Sequence, residues 1–192
     1  MSDVKTSEQI LAVAHELLVS EGLGAVSFDA IARRIGRSKQ AVLYWFPNKQ
    51  ELMAAMFVPW LAAEADVAVS AVVNAQSRSA AIDAFVRAIA QFHFSDLDRF
   101  RMMYLLPQTI KQNARFLDKE KITEQVHPVT RKIYDALVAH LEADGLAARR
   151  EAVAIHSAIL GVVLMVALTD SAHDPLLHSE LELVDALIGS LV

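Results

Sequence analysis

An all-α fold is predicted by three features of this 192-residue sequence. Apolar residues recur at helical spacing along nearly all of it, no pair of strand-like runs is present, and serine, glycine and proline fall where helices begin and end. The expected order is three short N-terminal helices followed by a larger helical body, divided into residues 1–50 and 51–192.

Each element has a local justification. Thr6 with Gln9 forms a capping-box pattern for a first helix over about 7–21, which Gly22 and Gly24 end. Ser27 is placed to cap a short second helix to about Ile35, with Ile31 and Ile35 inward and Gly36 allowing a tight turn. Ser38 caps a third helix over 39–45. Pro47 then breaks the chain, and Asn48 with Glu51 starts a long helix to about Val73. Further helices are predicted near 79–95, 97–106, 122–143, 149–170 and 177–191, with Pro107 as a boundary and turns at Asp144-Gly145 and Asp174-Pro175.

The composition, 54% apolar and 21% charged, suits a folded chain with a substantial core. There is no cysteine, so the core must hold the fold without disulfides or thiolate metal sites, which suits a reducing cytoplasm. The longest apolar run, Ala158 to Leu168, is shorter than the roughly 20 residues that span a bilayer and reads as a buried helix. No membrane association, metal or cofactor is expected. The formal charge is -5, yet Arg33, Arg34, Arg37, Lys39 and Lys49 follow one another with no acid between Asp29 and Glu51. Such a run is either an ordinary solvated face or a surface for a polyanion.

The surrounding pattern favours the polyanion. A helix, a glycine turn and a serine-capped second helix form a helix-turn-helix, whose second helix enters the major groove of DNA with its N-terminal residues toward base edges. Ser38, Lys39 and Gln40 come first on that helix. Glutamine can pair bidentately with adenine, and lysine reaches guanine acceptors or phosphate. Tyr44 and Trp45 can bond phosphates, as can Lys49 in the first turn of the next helix, whereas Phe46 reads as core.

Here the sequence resembles the DNA-binding domain of the tetracycline-repressor (TetR) family. The resemblance rests on "ILAVAHELLVSEG", Ser27 with "IARRIG", and "SKQAVLYWFPNKQEL", covering about residues 8–53. It implies a palindromic DNA operator as partner, with Ser27, Arg37, Ser38, Lys39, Gln40, Tyr44, Trp45 and Lys49 at the interface. It also implies a C-terminal domain for ligand binding and dimerisation. Three positions depart from the family pattern: Leu43 where tyrosine is usual, Ala41 where Thr or Ser is common, and Arg37 where a small apolar residue is usual. Leu43 and Ala41 reduce polar reach toward DNA, and Arg37 restores some.

In the body, Leu177, Leu181, Val184, Ile188 and Leu191 make a seam spaced 4, 3, 4 and 3, and the preceding helix is apolar around most of its circumference. The resemblance implies that these two helices form a homodimer, with Ile159, Val163 and Val166 joining the seam. Trp60, Phe85, Phe92, Met102, Met103, Tyr104 and Tyr134, with His93, His127 and His156, are candidates to line a pocket for a largely apolar small molecule. Phe57 and Phe116 belong to the same aromatic set. His93 shares a face with Phe85 and Ile89 and suits a hydrogen-bonded core position equally. The function expected is a ligand-responsive transcriptional regulator, most simply a repressor. The alternatives are a helical interaction protein without ligand response and, with still less support, a helical enzyme. No phosphate loop or nucleophile elbow supports an enzyme, and "HDPLLH" from His173 to His178 is a weak metal pattern.

Overall fold

A computed structural model describes residues 2–105, 119–172 and 178–192, and all regular structure among them is helical. The helices are α1 (Ser2–Glu21), α2 (Phe28–Arg34), α3 (Lys39–Trp45), α4 (Lys49–Val72), α5 (Arg78–Phe94), α6 (Leu97–Phe100), α7 (Lys119–Val138), α8 (Gly145–Ala172) and α9 (Glu180–Leu191). α6 continues as a π-helical turn, Arg101–Leu105. The chain forms two compact units: residues up to Trp60 with 119–125, and residues 61–105 with the described part of 126–192. The cut falls inside α4, one residue after Pro59, which removes one backbone donor from that helix.

In the first unit, Ile10, Ala14, Leu17 and Leu18 of α1 are buried at spacings of 4, 3 and 1, as an amphipathic helix requires. Val26, Ile31, Val42, Phe46, Leu52 and Met56 complete this core, so Phe46 is a core residue as expected. Each fully buried large aliphatic side chain contributes about 1.5–3 kcal/mol of transfer free energy. Ser27 and Ser38 cap α2 and α3, their hydroxyls accepting from Ala30 N and Ala41 N at 3.2 Å. Gly36 takes φ +65° at the intervening turn, a conformation that a side chain disfavours. α1 starts earlier than its capping pattern indicated, so Thr6 lies within the helix.

In the second unit, α5 packs against α8 and α9, with Ile82, Phe85, Val86 and Ile89 fully buried. Arg78 bonds Glu151 on α8 (2.6 Å) and the Leu191 carbonyl on α9 (3.2 Å), and Arg87 pairs with Asp185 at 2.7 Å. α9 begins at Glu180 because Ser179 and Glu182 form a reciprocal capping box, and α7 ends at Val138, short of the expected 143. Pro107, Phe116, Leu177 and most of the His173–His178 pattern lie outside the described residues.

The residues expected in the dimer seam divide between core and surface. Ile159, Val163, Val166, Val184 and Ile188 are at most 9% exposed in the subunit's own core, because these faces of α8 and α9 meet α5. Leu191 packs partly against the same core, and Leu181 alone of the assigned α9 residues projects outward, at 63% exposure. Met165 (50%) and Leu168 (51%) form an outward apolar surface on α8 that the sequence seam did not include. α4 and α8 are long and apolar enough to cross a membrane by length and composition alone, with mean hydropathy 1.6 over Glu51–Val72 and 2.3 over Gly145–Thr169. The apolar faces that enter the core account for part of that hydropathy.

Candidate nucleic-acid interface and buried polar cluster

The turn between α2 and α3 projects polar side chains outward. Arg37, Ser38, Lys39 and Gln40 are exposed, and Val42, one turn on, anchors α3 from beneath. Tyr44 is 79% exposed and meets Trp45 edge to face, ring centroids 5.4 Å apart, while Trp45 is half-buried. The Lys49 ammonium donates to the Leu23 carbonyl at 3.4 Å, which holds it beside the turn between α1 and α2. Asn48 caps α4 by accepting from Glu51 N at 2.9 Å. The assigned DNA-contact residues thus lie on α3 and at the ends of the neighbouring helices, and Ser27 is exposed at the start of α2.

Arg34 and Lys39 of the run pair with acids. Arg34 reaches Glu16 (2.5 Å) and Glu21 (2.8 Å) and ties α2 to α1. Lys39, on α3, pairs with Asp29 on α2 at 2.8 Å. Both partners of the second pair are about half exposed, so the pair holds Lys39 only weakly.

The ligand candidates separate into three groups. Tyr104, Tyr134, His93, His156, Phe85 and Phe92 gather around one residue absent from the candidate set, Glu64. Glu64 is fully buried, and its Oε1 lies 3.0 Å from Nε2 of both His93 and His156. The Tyr104 hydroxyl donates to Glu64 Oε2 at 2.7 Å, and the Tyr134 hydroxyl lies 3.3 Å from His156 Nδ1. Burial alone would raise the Glu64 pKa, but hydrogen bonds from His156 and His93 outweigh it and hold the carboxyl at about 2. Burial and the Glu64 charge push the Tyr104 phenol well above its usual value. Met102 and Met103 are buried on the π-helical turn beside Tyr104.

Two candidates fall elsewhere. His127 is exposed on α7, and Trp60 belongs to the first unit, where its ring stands edge-on to His15 at 5.4 Å. Glu64 had a sequence signal: it lies four residues before Ala68 and eight before Val72 on the buried stripe of α4, where an acid requires a partner. A surface depression of about 330 Å³ is lined by Leu146, Arg149, Arg150 and Val153 and by none of the candidates. Arg149 links the two, its guanidinium standing 5.3 Å from the Tyr134 ring centre.

The comparisons agree with the helix-turn-helix. The family model described as bacterial regulatory proteins, tetR family, matches residues 10–56. No curated protein matches the chain. Among solved structures, the chain is similar to the candidate regulatory protein SCO4313, at TM-score 0.76 and 20% identity over 98% of this chain and 96% of that one. It is also similar to a candidate tetR family transcription regulator from Shewanella sp. PV-4, at TM-score 0.64 and 17% identity over 96% and 95%. A TetR transcriptional regulator from Legionella pneumophila aligns at TM-score 0.60 and 24% identity over 97% and 95%. These likenesses establish the fold, and residues 10–56 carry the N-terminal domain described for the tetR family of bacterial regulatory proteins.

Proposed function

We propose that the chain is a ligand-responsive transcriptional repressor that binds a palindromic operator as a homodimer in the cytoplasm and leaves it when a small molecule binds. Residues 1–50 carry DNA recognition, and residues 51–192 carry ligand binding and dimerisation. The observation that carries this reading is the outward presentation of Arg37, Ser38, Lys39, Gln40 and Tyr44 on and beside a short helix whose inner face is anchored by Val42. Gln40 reads bases, Lys39 contacts base or phosphate, and Arg37, Tyr44, Trp45 and Lys49 hold the backbone. The exposed apolar residues Met165, Leu168 and Leu181 support a dimer through the outer faces of α8 and α9. The cluster around Glu64, with its aromatic surroundings, supports a ligand site in the second unit. The protein acts by binding rather than catalysis.

DNA retardation across a salt series tests the assignment. Lys49→Ala is expected to weaken binding to all sequences and reduce the salt slope by about one unit, whereas Gln40→Ala relaxes base preference. Unchanged affinity and slope in Lys49→Ala would remove the phosphate role.

A further inference from the structure

With both histidines neutral, the hydrogen bonds around Glu64 have one consistent set of directions. An ionised carboxylate only accepts, so both histidines must donate to it from Nε2. A neutral His156 then has Nδ1 free to accept from the Tyr134 hydroxyl, and that bond is present. A neutral His93 likewise has Nδ1 as an acceptor, but this atom is buried and meets no donor among the described residues. His93 itself is fully buried, with Phe92, Phe100 and Tyr104 around it at ring-centroid distances of 5.0, 5.1 and 5.6 Å. Donating to a carboxylate makes the opposite ring nitrogen a stronger acceptor, as in the carboxylate–histidine pairs behind metal sites. The pair is therefore a polarised acceptor at the end of an apolar, aromatic region, and the remaining groups of the cluster are internally satisfied.

We propose that His93 Nδ1, backed by Glu64, is the polar anchor of the ligand site and selects an uncharged apolar ring compound carrying one N–H or O–H donor. This rests on the ligand-responsive reading above and names the class of molecule that it requires. The aromatic rings supply contact for the body of the molecule, and the single acceptor fixes its donor edge. The Glu64 carboxylate, 3.0 Å from His93 Nε2, disfavours an anionic compound at this end of the cluster. Glu64 is a positioning residue: it fixes the His93 tautomer and need not touch the ligand. Molecules without a donor leave Nδ1 buried and unpaired, and so they bind more weakly.

The test uses full-length protein with ¹⁵N-labelled histidine, titrated with indole and with 1-methylindole, which has nearly the same shape but no donor. Indole is expected to bind about tenfold more tightly and to shift the His93 Nδ1 resonance, whereas 1-methylindole leaves that resonance in place. In His93→Phe the two compounds should bind equally. Equal affinities in the unaltered protein, an unmoved Nδ1 resonance, or an indole preference that survives in His93→Phe would each overturn the assignment. If His93→Phe does not fold, the titration of the unaltered protein decides alone. Operator retardation separates the two proposals. Indole bound at His93 with operator affinity unchanged defeats ligand release and leaves this site standing. Release by a molecule that does not move His93 does the reverse.

Discussion

At Glu64, a carboxylate is held ionised in the core because four hydrogen-bond contacts replace its water shell. Its folded pKa, about 2, lies below the ordinary value of 4.5. A depressed carboxyl contributes stability that is complete above about pH 4.5 and is lost as pH falls toward 2. Denaturant titrations between pH 7 and pH 2 should therefore show a steeper acid loss in the unaltered protein than in Glu64→Gln. That variant should already be weaker at pH 7, by roughly 1–3 kcal/mol, since its amide cannot accept from all the same donors. Parallel pH profiles for the two proteins would contradict the ionised state. At the surface, Asp29 pairs with Lys39, so under the proposed DNA contact the two partners compete for its ammonium. Asp29→Asn should leave the melting temperature nearly unchanged, because an exposed pair contributes about 0–1 kcal/mol. It should raise affinity for operator and random DNA alike at low salt. A drop in affinity on retardation gels would mean that Asp29 orients Lys39 productively.

Among the helices, α8 and α9 face two ways. Their inner residues, including Ile159, Val163, Val184 and Ile188, fill the core of the second unit, while Met165, Leu168 and Leu181 remain outside. The two faces predict different results for the same chemical change. Leu181→Glu places a charge on an exposed position, so the subunit should stay folded and the proposed dimer should separate. Ile188→Glu buries an unpaired carboxylate, a cost of several kcal/mol, and should destabilise the fold itself. Sedimentation together with thermal melting distinguishes these outcomes. A folded dimer of Leu181→Glu would place the interface elsewhere. Helices α2 and α3 were legible to within a residue or two because each boundary is set locally: Ser27 and Ser38 cap the helices that follow them, and Gly36 makes the turn, whereas α1 begins at Ser2, ahead of its expected start near residue 7. α6 was less legible, because a four-residue turn passing into a π-helical turn has no distinct periodicity.

For the molecule as a whole, the proposed release of operator by ligand is a coupling between two binding equilibria. A ligand shifts the operator equilibrium only by its difference in affinity for the free and DNA-bound forms, typically about 1–3 kcal/mol, and the effect must be reciprocal. Titrating one ligand into free and operator-saturated protein should give two affinities whose ratio equals the ratio of operator affinities with and without ligand. Equal ligand affinities in the two titrations would eliminate ligand-driven release.

The sequence alone determined the helical class, the helix-turn-helix and its outward polar residues, because periodicity and capping act over four or five neighbouring residues. It also indicated that His93 lies on the face of Phe85 and Ile89. Only the tertiary structure decided which side of α8 and α9 is core, since a helix apolar around most of its circumference does not choose its own neighbour. It likewise brought Glu64 of α4, His93 of α5, Tyr104 of the π-helical turn, Tyr134 of α7 and His156 of α8 together from across 92 positions of sequence. It left His127 exposed and set Trp60 against His15. Those placements depend on packing between helices distant in the chain, where hydrogen bonding of a buried charge and the filling of core volume are settled together.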